Sequence, residues 1–388
     1  LRFDAGSSPY LTRTPSSASN RRTFTFSVWI KRGVLDGDNV SGSNDTPIFS
    51  ASSANGQPVD VFRTMSHLVD GANILMLYAN PSGSTDYSEE TNASIRDTSA
   101  WYHIVMAVDT TQSTAGNRVK FYINGTLQTA VGQNYAQIPQ NHDFHFNNTV
   151  AQEIGRNAGN TGRYFDGYMA EVNFVDGTQY DASYFGETKN GIWIAKAPNV
   201  TYGTEGFRLQ FDQVGVGTAS TSTIGADTSG NNNHWTSANI AASDIMLDHP
   251  ENNFATINTL TKLHSATITF SEGNLKSSTS ANLAPSEHGA TFTIPKSGKW
   301  YWELSPFDEY VAPGIADIAF VSSSSGHTGS NQITLYASDG ELDGDVSGTA
   351  ATFDETNIIG FLLDMDSATR TLKYYKDNSL IGTVNLLT

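Results

Sequence analysis

The sequence predicts an all-β protein made of two β-sandwiches in tandem, with an irregular connector between them. Short segments in which polar and apolar residues alternate recur along the chain, which is the pattern of half-buried strands. Asx–Gly pairs such as Asn124-Gly125 and Asp166-Gly167 separate several of these segments and suit turns that need a positive φ. No long stretch has the period of an amphipathic helix, and 388 residues are too many for one sandwich.

Residues 1–190 are predicted to form the first sandwich. Within residues 23–31, alternation puts four apolar side chains on one face: Phe24, Phe26, Val28 and Ile30. Further strands are expected at residues 74–78, 101–109, 118–123 and 168–175. Residues 181–186 are predicted to hold one helical turn that begins at Asp181 as its cap.

Residues 191–265 are predicted to be an ordered connector packed on the first sandwich, because strand signals give way there to Gly, Ser, Thr and Asn. Residues 266–388 are predicted to form the second sandwich. Its expected strands are residues 266–270, 290–294, 299–304, 317–321, 333–337, 358–365, 371–375 and 379–386. We expect the natural protein to continue beyond both ends, because the sequence opens without Met and stops in a strand-like run.

Composition excludes several classes of function. The formal net charge is −17, and a surface this acidic repels phosphate backbones, so no nucleic-acid partner is predicted. The absence of cysteine rules out disulfides, thiolate metal sites and a cysteine nucleophile. No run of about 18 apolar residues occurs, so no membrane insertion is predicted.

Five motifs in the first 190 residues resemble the laminin G-like, concanavalin A-like lectin/glucanase family, whose fold is a jelly-roll sandwich. They occur in the family's order: FTFSVWI at residues 24–30, WYHIV at 101–105, VKFYING at 119–125, IGR at 154–156 and FDGYMAEV at 165–172. The resemblance implies the fold. It also implies a lectin-like binding role, which these motifs specify only weakly.

The remainder of the chain resembles a SPRY domain. The motifs are GKWYWE at residues 298–303, IIGFLLDMD at 358–366 and LKYYKDN at 372–378. Asp377-Asn378-Ser379 occupies the position where this family usually has Asn-Gly, and the family's last strand is cut short at Thr388.

The two modules together are similar to virion surface and tail fibre proteins of marine tailed bacteriophages. Three connecting segments carry this similarity: YLTRTPSSA at residues 10–18, DTSGNNNHW at 227–235 and DHPENNFA at 248–255. The resemblance implies a virion, extracellular location, a host-surface glycan or protein as ligand, contacts with other virion proteins, and a homo-oligomer, most often a trimer. Two alternatives stay open: an architectural capsid decoration or head fibre without a ligand, and a glycan depolymerase.

One acidic run resembles the strand motif of laminarin-type glucanases. On a strand, Glu341, Asp343 and Asp345 would share a face, and retaining glycosidases need two carboxyls about 5–5.5 Å apart. The run lies between Asp339-Gly340 and Ser347-Gly348 and ends in Asp345, where the motif has Glu, so a solvated loop is predicted instead. No Gly-x-Ser-x-Gly elbow occurs, and we predict that the chain is not an enzyme.

Two segments are candidates for metal binding. Asp36, Asp38 and Asn39 form an oxygen-rich loop in which Ca²⁺ is a candidate ligand, although the spacing lacks the Asp/Asn ladder of a helix–loop–helix calcium site. His142 and His145 would point to opposite faces of a strand, and only a turn would bring them together.

Ligand-binding candidates are exposed aromatic and polar residues in loops at the edges of the sandwiches. In the first sandwich they lie in residues 82–92, with Tyr87, and in residues 132–145, with Tyr135. In the SPRY-like half they are Tyr310, His327 and Tyr336. The tryptophans are assigned to the cores or core edges instead: Trp29, Trp101, Trp300 and Trp302.

Overall fold

The structure is a computed structural model. It describes residues 1–35, 45–53, 58–66, 73–82, 85–128, 131–132, 135–263, 268–279, 287–306, 313–316, 332–335, 341–344, 348–349 and 352–386.

The described residues form strands joined by turns and short 3₁₀ helices. The strands up to residue 238 are β1 Arg2–Phe3, β2 Tyr10–Arg13, β3 Thr23–Arg32, β4 Asp45–Ser52, β5 Val59–Ser66, β6 Asn73–Asn80, β7 Tyr87–Thr91, β8 Tyr102–Asp109, β9 Val119–Ile123, β10 Thr126–Leu127, β11 Val131–Gly132, β12 Ala151–Ile154, β13 Arg156–Asn157, β14 Asn160–Tyr164, β15 Gly167–Asp176, β16 Gly186–Lys189, β17 Ile192–Ala195, β18 Phe207–Leu209 and β19 Thr236–Ala238.

The later strands are β20 Ile257–Leu263, β21 Ile268–Ser271, β22 Lys276–Thr279, β23 Glu287–Ala290, β24 Lys299–Leu304, β25 Gly314–Ala316, β26 Gln332–Leu335, β27 Glu341–Gly344, β28 Gly348–Thr349, β29 Ile359–Asp364, β30 Thr371–Lys376 and β31 Ser379–Asn385. The 3₁₀ helices are Ala5–Ser7, Ala115–Asn117, Ala182–Tyr184 and Ala242–Asp244. The Ala182–Tyr184 turn begins at Asp181, whose carboxylate accepts a hydrogen bond from the Ser183 N–H, so the predicted cap is confirmed.

The prediction of an all-β fold is confirmed, and the chain divides into two compact units. The first unit comprises Leu1–Thr256 and Phe270–Ser277, and the second comprises Ile257–Thr269 and Ser278–Thr388. The proposed domain limits of 1–190, 191–265 and 266–388 stay a prediction. Within the described part of the chain, no helix has the length and apolar character needed to cross a membrane.

The first unit is a sandwich of two antiparallel sheets. One sheet has the order β1-β15-β3-β8-β9-β10, with β18 also paired to β15, and the other has the order β11-β7-β6-β5-β4-β12-β2-β19. Side chains alternate between the two faces of each strand, so the inner faces can be apolar while the outer faces stay polar.

Stacked phenylalanine rings fill the space between these two sheets. Phe49 is central: its ring lies 4.8 Å from that of Phe26 and 4.6 Å from that of Phe146, centre to centre, and both pairs are stacked. All four apolar residues predicted to share a face of β3 lie in this core. A phenyl ring buried in this way contributes about 1.5–3 kcal/mol, so the stack is a large part of the stability of the unit.

The β16–β17 hairpin covers the outer face of the first sheet. Its Trp193 lies against Gly125, where a side chain would come within 2.5 Å of the indole, so the glycine at this turn is required by packing as well as by its positive φ. The Trp193 indole N–H donates to His103 Nδ1 at 3.0 Å, and His103 Nε2 is 2.9 Å from Ser27 Oγ. Burial lowers the pKa of His103 to about 3, so the imidazole stays neutral and links the hairpin to the sheet.

The segment around Asp248 is held on the first unit by buried charges. Lys31 on β3 is fully buried and donates from Nζ to Asp248 Oδ2 at 2.8 Å, to Asn253 Oδ1 at 2.8 Å and to the Phe254 carbonyl at 2.6 Å. The other carboxylate oxygen of Asp248 accepts from the Trp101 indole N–H at 2.8 Å. A buried ammonium ion is stable only when it is paired and hydrogen-bonded in this way.

The second unit contains two four-stranded sheets, with the orders β24-β29-β30-β31 and β25-β26-β27-β28. In its core the Trp302 and Phe361 rings stack at 5.1 Å. Trp300, assigned to the core or its edge, lies opposite the buried Leu363 at the start of β24, where it is 45% exposed and its indole N–H donates to the Ser297 carbonyl. The acidic run was predicted to be a loop, but Glu341–Gly344 pairs with β26 as a strand.

The Lys31 contacts predict the effect of one substitution on stability. Lys31→Met keeps the apolar stem but leaves the buried Asp248 carboxylate without its cation, and this costs about 3–5 kcal/mol in the free energy of unfolding. Chemical denaturation followed by tryptophan fluorescence measures this loss. Lys189→Met, at an exposed site, is the control and changes stability by less than about 0.5 kcal/mol. An equal effect of the two substitutions would contradict the anchoring role of Lys31.

We predict that Asp166 makes a pH-dependent contribution to the stability of the first unit. Burial raises the pKa of its carboxyl to about 7, although one oxygen accepts from the Ala5 N–H at 3.1 Å. The folded state therefore binds a proton more tightly than the unfolded chain, whose Asp pKa is about 3.9, and the associated stability is complete below pH 4 and lost as pH rises through 7.

In Asp166→Asn this titration is absent. The stability of the variant relative to the wild type is expected to rise between pH 4 and pH 7 and to stay constant above pH 7. Denaturant unfolding of both proteins across pH 4 to 8.5 measures the difference, and a difference independent of pH would contradict the prediction.

Candidate functional site

The two candidate segments of the first sandwich meet at one edge of its second sheet. The Ser88 N–H on β7 donates to the Ala136 carbonyl at 3.0 Å, and the Tyr135 N–H donates to Ser88 Oγ at 3.1 Å. A parallel bridge joins Tyr87 to Ala136 beside them. The described parts of residues 82–92 and 132–145 therefore meet at this edge, which neither segment indicates alone.

The two tyrosines predicted for these segments lie in different environments. Tyr87 pairs with the buried Ala79, so it lies on the inner face of the sheet, where its ring is 5.5 Å from that of His142. Tyr135 is 43% exposed, and its ring packs edge-on against that of Tyr78 at 5.6 Å. Tyr135 is thus the one of the pair that an external ligand can reach.

A polar cluster surrounds Tyr78 on the outer face of β5 and β6. The Tyr78 hydroxyl donates to Asp86 Oδ1 at 2.5 Å, and the Asn80 amide donates to the same oxygen at 2.7 Å. The Arg63 guanidinium lies 5.3 Å from the centre of the Tyr78 ring, within the range of a cation–π contact. We call these four residues together with Tyr135 the Tyr78–Tyr135 patch.

Burial, together with the hydrogen bond to Asp86, raises the pKa of Tyr78 to about 12. The hydroxyl therefore keeps its proton at every physiological pH and holds the Asp86 carboxylate in one orientation. Within the described residues, Asp86 Oδ2 accepts no hydrogen bond, so this oxygen is available to a donor on a ligand. The patch thus offers an exposed aromatic ring beside a fixed acceptor, which suits a ligand with an apolar face and hydroxyl groups around it.

The other acidic side chains considered on this face are buried. The Cα atoms of Asp86 and Glu90 are about 13 Å apart, because the two residues are four positions apart along an extended chain. Glu153 on β12 is four strands away from β7, at about 19 Å, and its carboxylate is already bound by the Arg156 guanidinium. Glycosidases need two carboxyls that both reach the substrate, whereas Glu90 and Glu153 are buried, and Glu90 Oε1 accepts from Ser88 Oγ at 3.2 Å.

Several of the predicted sites lie outside the described residues. These are the Ca²⁺ candidates Asp36, Asp38 and Asn39 and the SPRY-half candidates Tyr310, His327 and Tyr336, together with Asp345. For those parts of the chain that are described, no group of three or more His, Cys, Asp or Glu side chains could hold a metal ion.

His142 and His145 lie in a loop and not on a strand, which is the one arrangement predicted to bring them together. Residues 141–150 form a loop, and both histidines are buried near Asp60. Asp60 Oδ2 accepts from the His145 backbone N–H and is 3.3 Å from His145 Nδ1, and burial lowers the pKa of His142. The loop thus brings the two rings and one carboxylate together inside the sandwich.

Sequence patterns did not identify Arg63 or Tyr78. Residues 74–78 were interpreted as a plain apolar run, yet alternation within it puts Tyr78 opposite in direction to the buried Leu75 and Leu77. The usable signal is a tyrosine on the outer face of a strand whose inner face is apolar. The position of Arg63 beside it depends on strand register, which the sequence does not display.

Comparison with known proteins supports the fold of the first unit. Residues 5–183 match the family described as the concanavalin A-like lectin/glucanases superfamily, so the chain contains a concanavalin A-like domain. No curated protein matches the sequence.

Part of the chain is similar to the heptameric SAP-like pentraxin of Limulus polyphemus, with 16% identity and TM-score 0.31, over 44% of this chain and 71% of the pentraxin. The sialidase module CBM40 of Ruminococcus gnavus gives 13% identity and TM-score 0.30, and covers 44% of this chain and 92% of that chain. Tailspike protein 2 of the Escherichia coli O157:H7 bacteriophage CBA120 gives 13% identity and TM-score 0.30, with coverage of 45% of this chain and 22% of the tailspike.

Proposed function

We propose that the chain is a glycan-binding protein and that the Tyr78–Tyr135 patch of the first unit is its binding surface. The observation that carries this proposal is the exposed Tyr135 ring beside Asp86, whose Oδ2 is open to a donor. A sugar ring has apolar C–H faces that pack on an aromatic ring, and hydroxyl groups at its rim that donate to a carboxylate. The concanavalin A-like fold of residues 5–183 is consistent with this role.

In this proposal the residues of the patch have separate tasks. Tyr135 packs against one face of the sugar ring, and Asp86 accepts hydrogen bonds from two neighbouring hydroxyls. Tyr78 and Asn80 hold the Asp86 carboxylate in place, which lowers the entropy that the ligand must remove on binding. Arg63 packs over the Tyr78 ring and limits its motion.

Binding without hydrolysis is the better-supported activity of this surface. Glu90 and Glu153 are buried and are hydrogen-bonded by Ser88 and Arg156, so neither supplies an exposed second carboxyl beside Asp86 of the kind that both glycosidase mechanisms require. The proposed ligand is therefore held and released, and no new reducing ends are expected when the protein is incubated with bacterial surface polysaccharides.

The proposed setting is the surface of a bacteriophage particle, in a tail fibre or related appendage that attaches to the host. This rests on the resemblance of residues 10–18, 227–235 and 248–255 to segments of such proteins. Two of these segments contain buried aspartates that tie the chain to the first unit: Asp248, and Asp227, which accepts from the Arg208 N–H at 2.9 Å. Modules fixed in this way suit multivalent display, in which several weak sites give firm attachment.

Two substitutions test the proposed binding surface. Tyr135→Ala removes the stacking ring, and Asp86→Asn removes the charge of the acceptor. Each is expected to lower glycan affinity about tenfold, because a charge-assisted hydrogen bond contributes about 1.5–3 kcal/mol and a stacked ring contributes similarly. A microarray of bacterial surface glycans, probed with Ca²⁺ and with EDTA, identifies the ligand, and titration then measures the affinity of each variant.

Tyr184→Ala is the matched control, since Tyr184 is 37% exposed but packs on Tyr180, away from the patch. It should bind as the wild type does. If the Tyr135 and Asp86 variants keep full affinity for the same glycan, the patch is not the site. If no glycan binds the folded wild-type chain, the glycan-binding proposal is wrong, and an architectural role becomes the better interpretation.

Copy number is the third part of the proposal. A homotrimer is expected, and native mass spectrometry or sedimentation equilibrium at micromolar concentration measures it. A strictly monomeric protein across this range would contradict the trimer, while leaving the test of the binding patch unaffected.

A further inference from the structure

The outer face of one sheet in the second unit has a cleft created by a glycine. In the register of this sheet, Gly360 on β29 lies between Glu303 on β24 and Tyr375 on β30. Because Gly360 has no side chain, a depression remains between these two neighbours. A Cβ atom at this position would come within 2.6 Å of the Tyr301 hydroxyl, so the cleft depends on glycine.

The cleft is an open depression lined by aromatic and polar side chains. Its volume is about 390 Å³, at the lower end of the ~300–1,000 Å³ range of ligand pockets, and a neighbouring recess adds about 160 Å³. The residues that line the larger space are Tyr301, Glu303, Leu362, Tyr375 and Asn378. Two tyrosine side chains thus flank a carboxylate, above a floor made by Leu362 and Gly360.

The carboxylate of Glu303 is held in place but not neutralised. The Tyr301 hydroxyl donates to Glu303 Oε1 at 2.7 Å, and this hydrogen bond raises the pKa of Tyr301. Among the described residues, Glu303 forms no salt bridge, and Oε2 accepts no hydrogen bond. Tyr301 itself is 53% exposed, so the pair faces solvent and can receive a ligand.

The ionisable groups that carry charge in the lining are acidic. Asp377 borders the recess, where its carboxylate accepts from the Ile358 N–H at 2.9 Å and from the Asn357 amide at 2.8 Å. Lys373 lies opposite Leu362 at the rim, and no described lysine or arginine lines the cleft itself. The cleft therefore attracts a cation and repels an anion.

We propose that this cleft binds an amino sugar, a pyranose with a protonated amine. The ammonium group donates to Glu303 Oε2, while the tyrosine rings pack against the apolar side of the sugar and add a cation–π attraction. Acidic sugars are rejected by Glu303 and Asp377. This site lies in the second unit and shares no residue with the Tyr78–Tyr135 patch.

Three pyranoses that differ chiefly in charge test the proposal on the full chain. Glucosamine is cationic, glucose is neutral and glucuronate is anionic. Ligand-observed NMR titration at 50 mM and 300 mM NaCl is expected to rank their affinities in that order, with glucosamine at least about tenfold tighter than glucuronate. Salt should narrow the difference, because part of it is Coulombic.

Four substitutions test whether the sugars bind in this cleft. Glu303→Gln keeps the acceptor for Tyr301 but removes the charge, so it should weaken glucosamine binding about tenfold and leave glucose nearly unchanged. Glu355→Gln removes the same charge at another exposed position and should leave both affinities unchanged. Gly360→Ala should weaken the binding of both sugars, because the added methyl group fills the bottom of the cleft. Tyr375→Ala adds no atoms and provides the same test if Gly360→Ala does not fold.

The outcomes are separable from those of the first unit. Loss of glucosamine binding in Glu303→Gln but not in Asp86→Asn supports the cleft. Equal binding of glucosamine and glucuronate, or a glucosamine affinity that Glu303→Gln leaves unchanged, would overturn the proposal, as would failure of glucosamine to bind the folded wild type. None of these results changes the test of the Tyr78–Tyr135 patch.

Discussion

The packing of phenylalanine rings between two sheets is the constraint on which the first unit depends. Phe49 stacks on Phe26 and Phe146 in a space that apolar side chains fill. Because alternate side chains of each strand point into that space, a shift of register by one residue would bury polar groups and expose phenyl rings. Register is therefore fixed, and the outer positions, Arg63 and Tyr78 among them, are fixed in turn.

The same logic applies to the polar contacts that hold irregular chain on the sandwich. The segment containing Asp248 has few apolar residues with which to anchor itself, and it is attached by a buried lysine and an indole N–H instead. Such contacts are specific in geometry, since each partner left alone would be a buried, unpaired polar group. They give the segment containing Asp248 one conformation without a core of its own.

The sequence allowed individual strands and turns to be predicted, but not which side chains from different strands lie next to one another. Alternation in residues 23–31 identified the core face of β3, and Asp181 identified a 3₁₀ turn, because both signals are local. The meeting of Tyr135 with Tyr78 and Asp86 depends on β5, β6 and β7 lying side by side in one register. The exposure of Trp300, the strand at Glu341–Gly344 and the burial of His142 with His145 depend likewise on neighbours distant in sequence.

The β16–β17 hairpin makes the outer faces of the two sheets of the first unit different. Trp193 joins it to His103 on one sheet, and a neutral imidazole cannot release it by titrating near physiological pH. The hairpin thereby covers part of the outer side of that sheet, and the Tyr78–Tyr135 patch belongs to the opposite sheet. If the patch binds a ligand as proposed, an assembly that carries this domain has to present the second sheet, and not the hairpin, to its surroundings.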